Sequence, residues 1–196
     1  LFMLFGILFC VCLITANVLE TKQISVGSIS LTGGLIVFPI SYIINDCVCE
    51  VWGYAKARLL IWLGFAMNFL FVLFGLAPRI AAASFLAFLC GSFVNAYVMS
   101  RMKLQSQGKN FSLRAIVSTI LGEGVDSIIF FPLALYGVVP NEALPALMLW
   151  QVILKTLYEV LVLPLTIYIV KKVKQYEQED AYDEAIDYRV WKIFKL

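Results

Sequence analysis

The chain has 196 residues, of which 62% are hydrophobic and 14% charged, with a mean hydropathy of +0.90, far outside the mix of a water-soluble domain. Fifteen Lys and Arg against 13 Asp and Glu leave a net charge of +2, too little to neutralise a string of phosphates, which excludes a nucleic-acid-binding module. The absence of histidine removes His-based triads, imidazole zinc sites and c-type haem, and five cysteines in or beside apolar runs, spaced C-x-C, suggest neither a disulfide framework nor a redox motif.

A helix needs about 20 apolar residues to cross a bilayer, so the gaps between charges measure the spans. In chain order the first span is expected over 1–19, before Glu20, and the second over 23–45, between Lys22 and Asp46. The third falls over 59–78 and the fourth over 80–100, either side of Arg79. A fifth over 115–140 contains Glu123 and Asp126, and a sixth over 143–170 carries Lys155 and Glu159. The prediction is an all-α membrane protein, a six-transmembrane-helix bundle whose count is compatible with two inverted three-helix halves. Between Gly75 and Arg79 the polar residues expected of an outer loop are missing, so the hairpin there is either very tight or has lost a loop.

Orientation follows from the basic residues, which are retained on the cytoplasmic side. Lys56, Arg58, Arg101, Lys103, Lys109, Arg114, Lys171, Lys172, Lys174, Arg189, Lys192 and Lys195 fall on one side, and Lys22 and Arg79 on the other. Both termini are therefore expected in the cytoplasm. Residues 1–174 form the membrane domain in this reading, and 175–196 an acidic, amphipathic cytoplasmic tail in solvent or at the membrane surface.

Asp46, Glu123, Asp126, Lys155 and Glu159 would together cost on the order of 10 kcal/mol if they faced lipid, so they are expected to face one another or a wet cavity. Tyr42, Asp46 and Glu50 repeat every four residues on one stripe of the second span. Thr119, Glu123 and Asp126 share a stripe on the fifth, with Ser127 adjoining, and Gln151, Lys155 and Glu159 one on the sixth. Ser92 and Asn95 extend this polar seam to the fourth span, and Thr15 and Asn17 to the first. Lys155 and Glu159, four apart, can neutralise each other on their own helix; Asp46, Glu123 and Asp126 are then left without a cation. Carboxylates favour a partner that is cationic, rich in N–H donors, or a proton. Tyr42, Trp52, Tyr97, Phe130, Phe131 and Tyr158 offer stacking surfaces for a flat heterocycle. Gly122 and Gly124 around Glu123, with Pro39, Pro132 and Pro164 inside spans, suggest the broken helices of transporters.

Several stretches carry a family likeness: Ala16-Asn17, the run from Phe38 through Pro39, Tyr42, Asn45, Asp46 and Glu50 to Tyr54, Asn95-Ala96-Tyr97, Leu113 to Thr119, and Gly122-Glu123-Gly124-Val125-Asp126-Ser127. With these patterns, F-P-x-x-Y-x-x-N-D-x-x-x-E-x-x-G and G-E-x-x-D-S, the chain resembles the queuosine precursor transporter family, also called the vitamin uptake transporter type, from the first span to Lys174. The resemblance implies a six-helix inner-membrane carrier of 7-deazaguanine bases, a small nucleobase-like substrate. It points to Asn45, Asp46, Glu50, Glu123, Asp126 and Ser127 as ligands, with Lys155 and Glu159 beside them; Tyr42 and Asn95 join the candidate set from the seam.

The expectation is a secondary carrier, since no G-x-x-x-x-G-K-[ST] loop is present to power transport. One acid is also a candidate proton carrier. No cofactor or metal is expected, lipid is the surrounding partner, and a homo-oligomer is left open. The alternative is a membrane-embedded substrate-binding subunit of a multisubunit vitamin transporter, docked through Ala81-Ala82-Ala83. An intramembrane enzyme is disfavoured, because no nucleophile lies beside a base and no second acidic cluster accompanies Glu123 and Asp126.

Overall fold

The computed structural model describes residues 1–20, 23–26, 29–32, 34–73, 78–137, 142 and 144–193. The elements are α1 (Phe2–Glu20), β1 (Gln23–Val26), β2 (Ile29–Thr32), α2 (Gly34–Leu73), α3 (Pro78–Gln105), α4 (Phe111–Leu135) and α5 (Leu144–Glu177). All five helices are long and apolar enough to cross a membrane. The segment around Gly75 that drew attention in the sequence lies mostly outside the described residues, as does Lys22.

Two expectations change. Residues 23–26 and 29–32, expected in the second span, form two antiparallel strands pairing Gln23 with Thr32 and Val26 with Ile29. Their alternation of polar and apolar residues, Gln-Ile-Ser-Val and Ile-Ser-Leu-Thr, has the two-residue period of a strand. Conversely, α2 does not stop at Asp46: buried polar contacts replace water around Asp46 and Glu50, so the helix runs past both.

The second and third expected spans are thereby joined in α2, a 40-residue helix interrupted at Gly53 (φ 81, ψ 175). This left-handed backbone favours glycine, and a Cβ there would lie 2.7 Å from Asp183 Oδ1. Contacts give the direction of each arm. Before the break, Asn45 donates to Asn95 Oδ1 at 2.7 Å and Lys103 reaches the Glu50 carbonyl at 2.6 Å, so this arm runs alongside α3 in the same direction. After it, Trp62 packs on Phe93 and Phe69 on Phe85 with ring centroids 6.0 and 5.5 Å apart, so this arm runs opposite to α3. The chain reverses at Gly53. α1 lies parallel to the second arm: Phe2 and Phe5 touch Trp52 at 5.6 Å, and Asn17 donates to Asn68 at 2.5 Å.

The described part of the tail, after α5, lies against the Gly53 end of the bundle. A helix break frees backbone groups that need partners, and the tail supplies them. Tyr54 N–H donates to Asp183 Oδ2 at 2.9 Å, and Ala181 N–H donates to the Val51 carbonyl at 3.0 Å. Arg58 and the Trp62 indole donate to tail carbonyls at Asp187 and Val190, both at 2.7 Å. Outward faces of α1 and α5, with Met3, Ile7, Leu149, Trp150 and Leu161 exposed, are apolar as lipid contact demands.

Candidate functional site

Midway along the bundle the first arm of α2 brings Tyr42, Asn45 and Asp46 against Ser92 and Asn95 of α3, Ser118, Thr119, Glu123, Asp126 and Ser127 of α4, and Lys155 and Glu159 of α5. All are buried. Close approach of α3 and α4 makes this possible: a Cβ on Gly122 would lie 2.8 Å from Asn95 Cβ and 2.9 Å from the Tyr42 ring, so only the hydrogen of glycine fits there. α4 is continuous through Gly122 and Gly124, and the helix break is at Gly53 instead.

The sequence pairing of Lys155 with Glu159 is not the one adopted. Lys155 Nζ reaches across to α4, 2.6 Å from Glu123 Oε2 and 3.8 Å from Asp126 Oδ2, and it sits 4.1 Å from the centroid of the Phe38 ring. A cation held between carboxylate and ring face gains from both, whereas a same-helix pair would leave Glu123 buried without a counter-ion. Ser118 Oγ stands 3.5 Å from Asp46 Oδ1, and Glu159 is buried on α5 within the same seam. Asn45 Oδ1, Glu123 Oε1 and Ser127 Oγ are buried with no hydrogen-bond partner among the described residues, so the seam holds spare acceptor capacity.

A cavity of about 40 Å³ lies at the strand-pair side of the seam, lined by Asn17, Phe38, Ser84, Asp126, Phe130, Gln151 and Lys155. This is room for about three waters, far less than a two-ring base needs. A ligand of that size enters only if lining side chains move. Phe38 was missed as a site residue; its place one turn before Tyr42 on the same stripe was the available signal. Of the aromatic candidates only Phe130 lines the cavity and Tyr42 the seam; Trp52 packs on α1, and Tyr97 on Tyr188 of the tail at 5.0 Å.

Glu50 departs from the seam although it continues its stripe. Arg114 grips it with two nitrogens, at 2.5 and 3.1 Å, Lys174 at 2.7 Å, and Lys103 at 3.8 Å. Lys103 and Lys174 also hold Asp180 of the tail, at 2.5 and 2.8 Å. Burial pushes the Asp180 carboxyl up, but the hydrogen bonds from Lys103 and Lys174 outweigh it and hold the group below its ordinary value. These three cations entered the sequence reading only as inward-loop charge; their partners were invisible there.

The family model described as "Putative vitamin uptake transporter" matches residues 32–75 and 72–169. The chain is 26% identical to the "Probable queuosine precursor transporter" of Bacillus subtilis (strain 168), with 66% of this chain and 67% of that protein covered. It is 27% identical to the "Queuosine precursor transporter" of Escherichia coli (strain K12), with 62% and 63% covered. The chain thus spans about two thirds of the length of these curated relatives. No solved structure matches it.

Proposed function

The chain belongs to the vitamin uptake transporter family, a family of carriers and not of enzymes, and from that premise we propose that it imports queuosine precursors across a bacterial cytoplasmic membrane. The substrates of this reading are 7-deazaguanine bases, such as 7-cyano- or 7-aminomethyl-7-deazaguanine, or queuine. The names of the two curated relatives support it.

One observation carries the chemistry: among the described residues of the seam, Glu123 and Asp126 meet the Lys155 ammonium beside the Phe38 ring, and two further buried carboxyl groups, Asp46 and Glu159, form no ion pair. Carboxylates accept hydrogen bonds in pairs, which matches a guanine-like edge with adjacent N–H donors, and they repel phosphate. In this reading Asp46 and Glu123 or Asp126 take the donor edge, Asn45, Asn95, Ser127 and Tyr42 complete the polar wall, and Phe38 offers its face to the ring. Lys155 swings from Glu123 as the base enters, and Glu50 serves the inner end and not the ligand.

Each arm of α2, about 19 residues or nearly 30 Å at 1.5 Å per residue, is long enough to cross, and we count six crossings on that basis. The α1 start and the tail then share one side. The basic-residue distribution assigns that side to the cytoplasm, with the strand pair outside and residues 175–196 as the cytoplasmic segment closing the inner end.

Uptake of a labelled 7-deazaguanine base by cells unable to make it tests the reading. Asp46→Asn and Glu123→Gln are each expected to cut uptake tenfold or more at normal protein levels, the loss of a charge-assisted hydrogen bond. Uptake equal to wild type in both variants would contradict it.

A further inference from the structure

Resting on that transport reading, we propose that the cavity beside Lys155 is the subsite for the group at position 7 of the base, that Gln151, Ser84 and Asn17 read this group, and that the cavity holds it to a few heavy atoms. The ring and its substituent make different demands. Lys155 Nζ already fills a slot of the kind the ring needs, 2.6 Å from Glu123 Oε2 and 4.1 Å from the centroid of the Phe38 ring. An N–H donor on a carboxylate, flanked by an aromatic face, is what a planar base offers in its place, so the ring enters by taking over the contact of Lys155. In a 7-deazaguanine the substituent projects from the five-membered ring, across the base from its N–H edge. With that edge held at Glu123, the substituent goes where the seam is open.

The opening is on the strand-pair side. Phe38, Asp126 and Lys155 border the slot and also line the cavity, which continues to Gln151 of α5, Ser84 of α3 and Asn17 of α1. Its volume of about 40 Å³ is too small for the ring but comparable to a short group such as a nitrile or an aminomethyl. The side group of queuine, which carries a ring of its own, exceeds it. The polar lining suits both short groups. The Asn17 amide nitrogen is committed to Asn68 Oδ1 at 2.5 Å, and Ser84 Oγ stands 3.5 Å from Asn17 Oδ1, so the Ser84 hydroxyl is only loosely held. Half-buried Gln151 makes no hydrogen bond among the described residues, and its amide has an N–H for a nitrile nitrogen and a carbonyl for an amine.

Titration calorimetry of the purified full chain with 7-deazaguanine itself, its 7-cyano and 7-aminomethyl derivatives, and queuine tests this. Wild type is expected to bind the two short derivatives more tightly than queuine. Gln151→Leu removes hydrogen bonding at nearly constant size and is expected to weaken the 7-cyano derivative about fivefold. Ser84→Leu fills the cavity and is expected to weaken both short derivatives about tenfold. Binding of the unsubstituted base is expected to hold in both variants, which also shows that they fold. An equal loss for unsubstituted and substituted bases in the two variants, or no loss, overturns the subsite and leaves the transport reading standing. Queuine bound as tightly as the 7-cyano derivative overturns the size limit. Wild type that binds none of these bases overturns the transport reading and the subsite with it.

Discussion

Asp46 and Glu50 sit one turn apart on the same face of α2, yet their surroundings are opposite. Glu50 is surrounded by Arg114, Lys103 and Lys174, with Asp180 as a second acid, so that three cations meet two carboxylates and the tail is fastened to the bundle. Asp46 opens onto a seam in which carboxyl groups outnumber the cation and polar atoms lack partners. A buried ion cluster whose carboxylates are all held by cations rigidifies; one left acceptor-rich has capacity for a donor-bearing ligand. In the reading proposed above, the difference separates a closure at the tail end from a recognition site one turn away on the same helix.

The largest effect is expected from breaking the matched side. Glu50→Gln leaves Arg114, 1% exposed, with no carboxylate partner, and a guanidinium cannot shed its charge. A loss of about 3–5 kcal/mol is expected, read as a fall in folded yield and melting midpoint; a melting midpoint equal to wild type would remove the distinction between the clusters. Lys155→Met, on the acceptor-rich side, should cost less, because a carboxylate stripped of its cation can take up a proton. Melting of the two variants side by side gives the ranking, and the reverse order would contradict it.

Gly53→Ala sharpens the comparison at the tail. The added methyl meets Asp183 Oδ1 at 2.7 Å and Ala181 Cβ at 3.2 Å, on a backbone with φ 81, and about 1–3 kcal/mol of strain is expected. Release of the tail should appear as faster protease cutting near Tyr182, and unchanged cutting would count against a docked tail. The smallest effect is acid-dependent. The Asp180 carboxyl is held below its ordinary value, so its contribution to tail docking is complete above that value, about pH 4, and is lost as pH falls through the lowered one. The same protease assay is expected to be flat from neutral pH down to about 4 and to rise only below; a rise near neutrality would assign tail release to another group.

Much of this was legible in the chain. The apolar run lengths indicated membrane-length helices, although five are described where six spans were expected, and the four-residue repeat of Tyr42 and Asp46, with Glu123 and Asp126 on α4, marked faces that do meet. Periodicity specifies a face and not its neighbour, which is why the three cations around Glu50 and the reach of Lys155 to Glu123 could not be read from it. Charge gaps ended the second span at Asp46 because a buried, paired carboxylate and a solvated one are the same letter. The strand pair at 23–26 and 29–32 was hidden inside a long uncharged window although its alternation was visible. The reversal at Gly53 and the tail that satisfies its freed backbone groups depend on contacts across more than 120 positions, as between Tyr54 and Asp183, which no local pattern announces.

The central claim is that the acceptor-rich seam recognises a donor-rich planar base. Titration calorimetry of the purified chain against purines, 7-deazaguanine bases and common vitamins tests it most directly. Binding confined to guanine-like bases, weakened tenfold or more by Asp46→Asn and by Glu123→Gln, is the predicted result. Binding of those bases that both variants retain at full strength, or binding only of an unrelated vitamin, would contradict it.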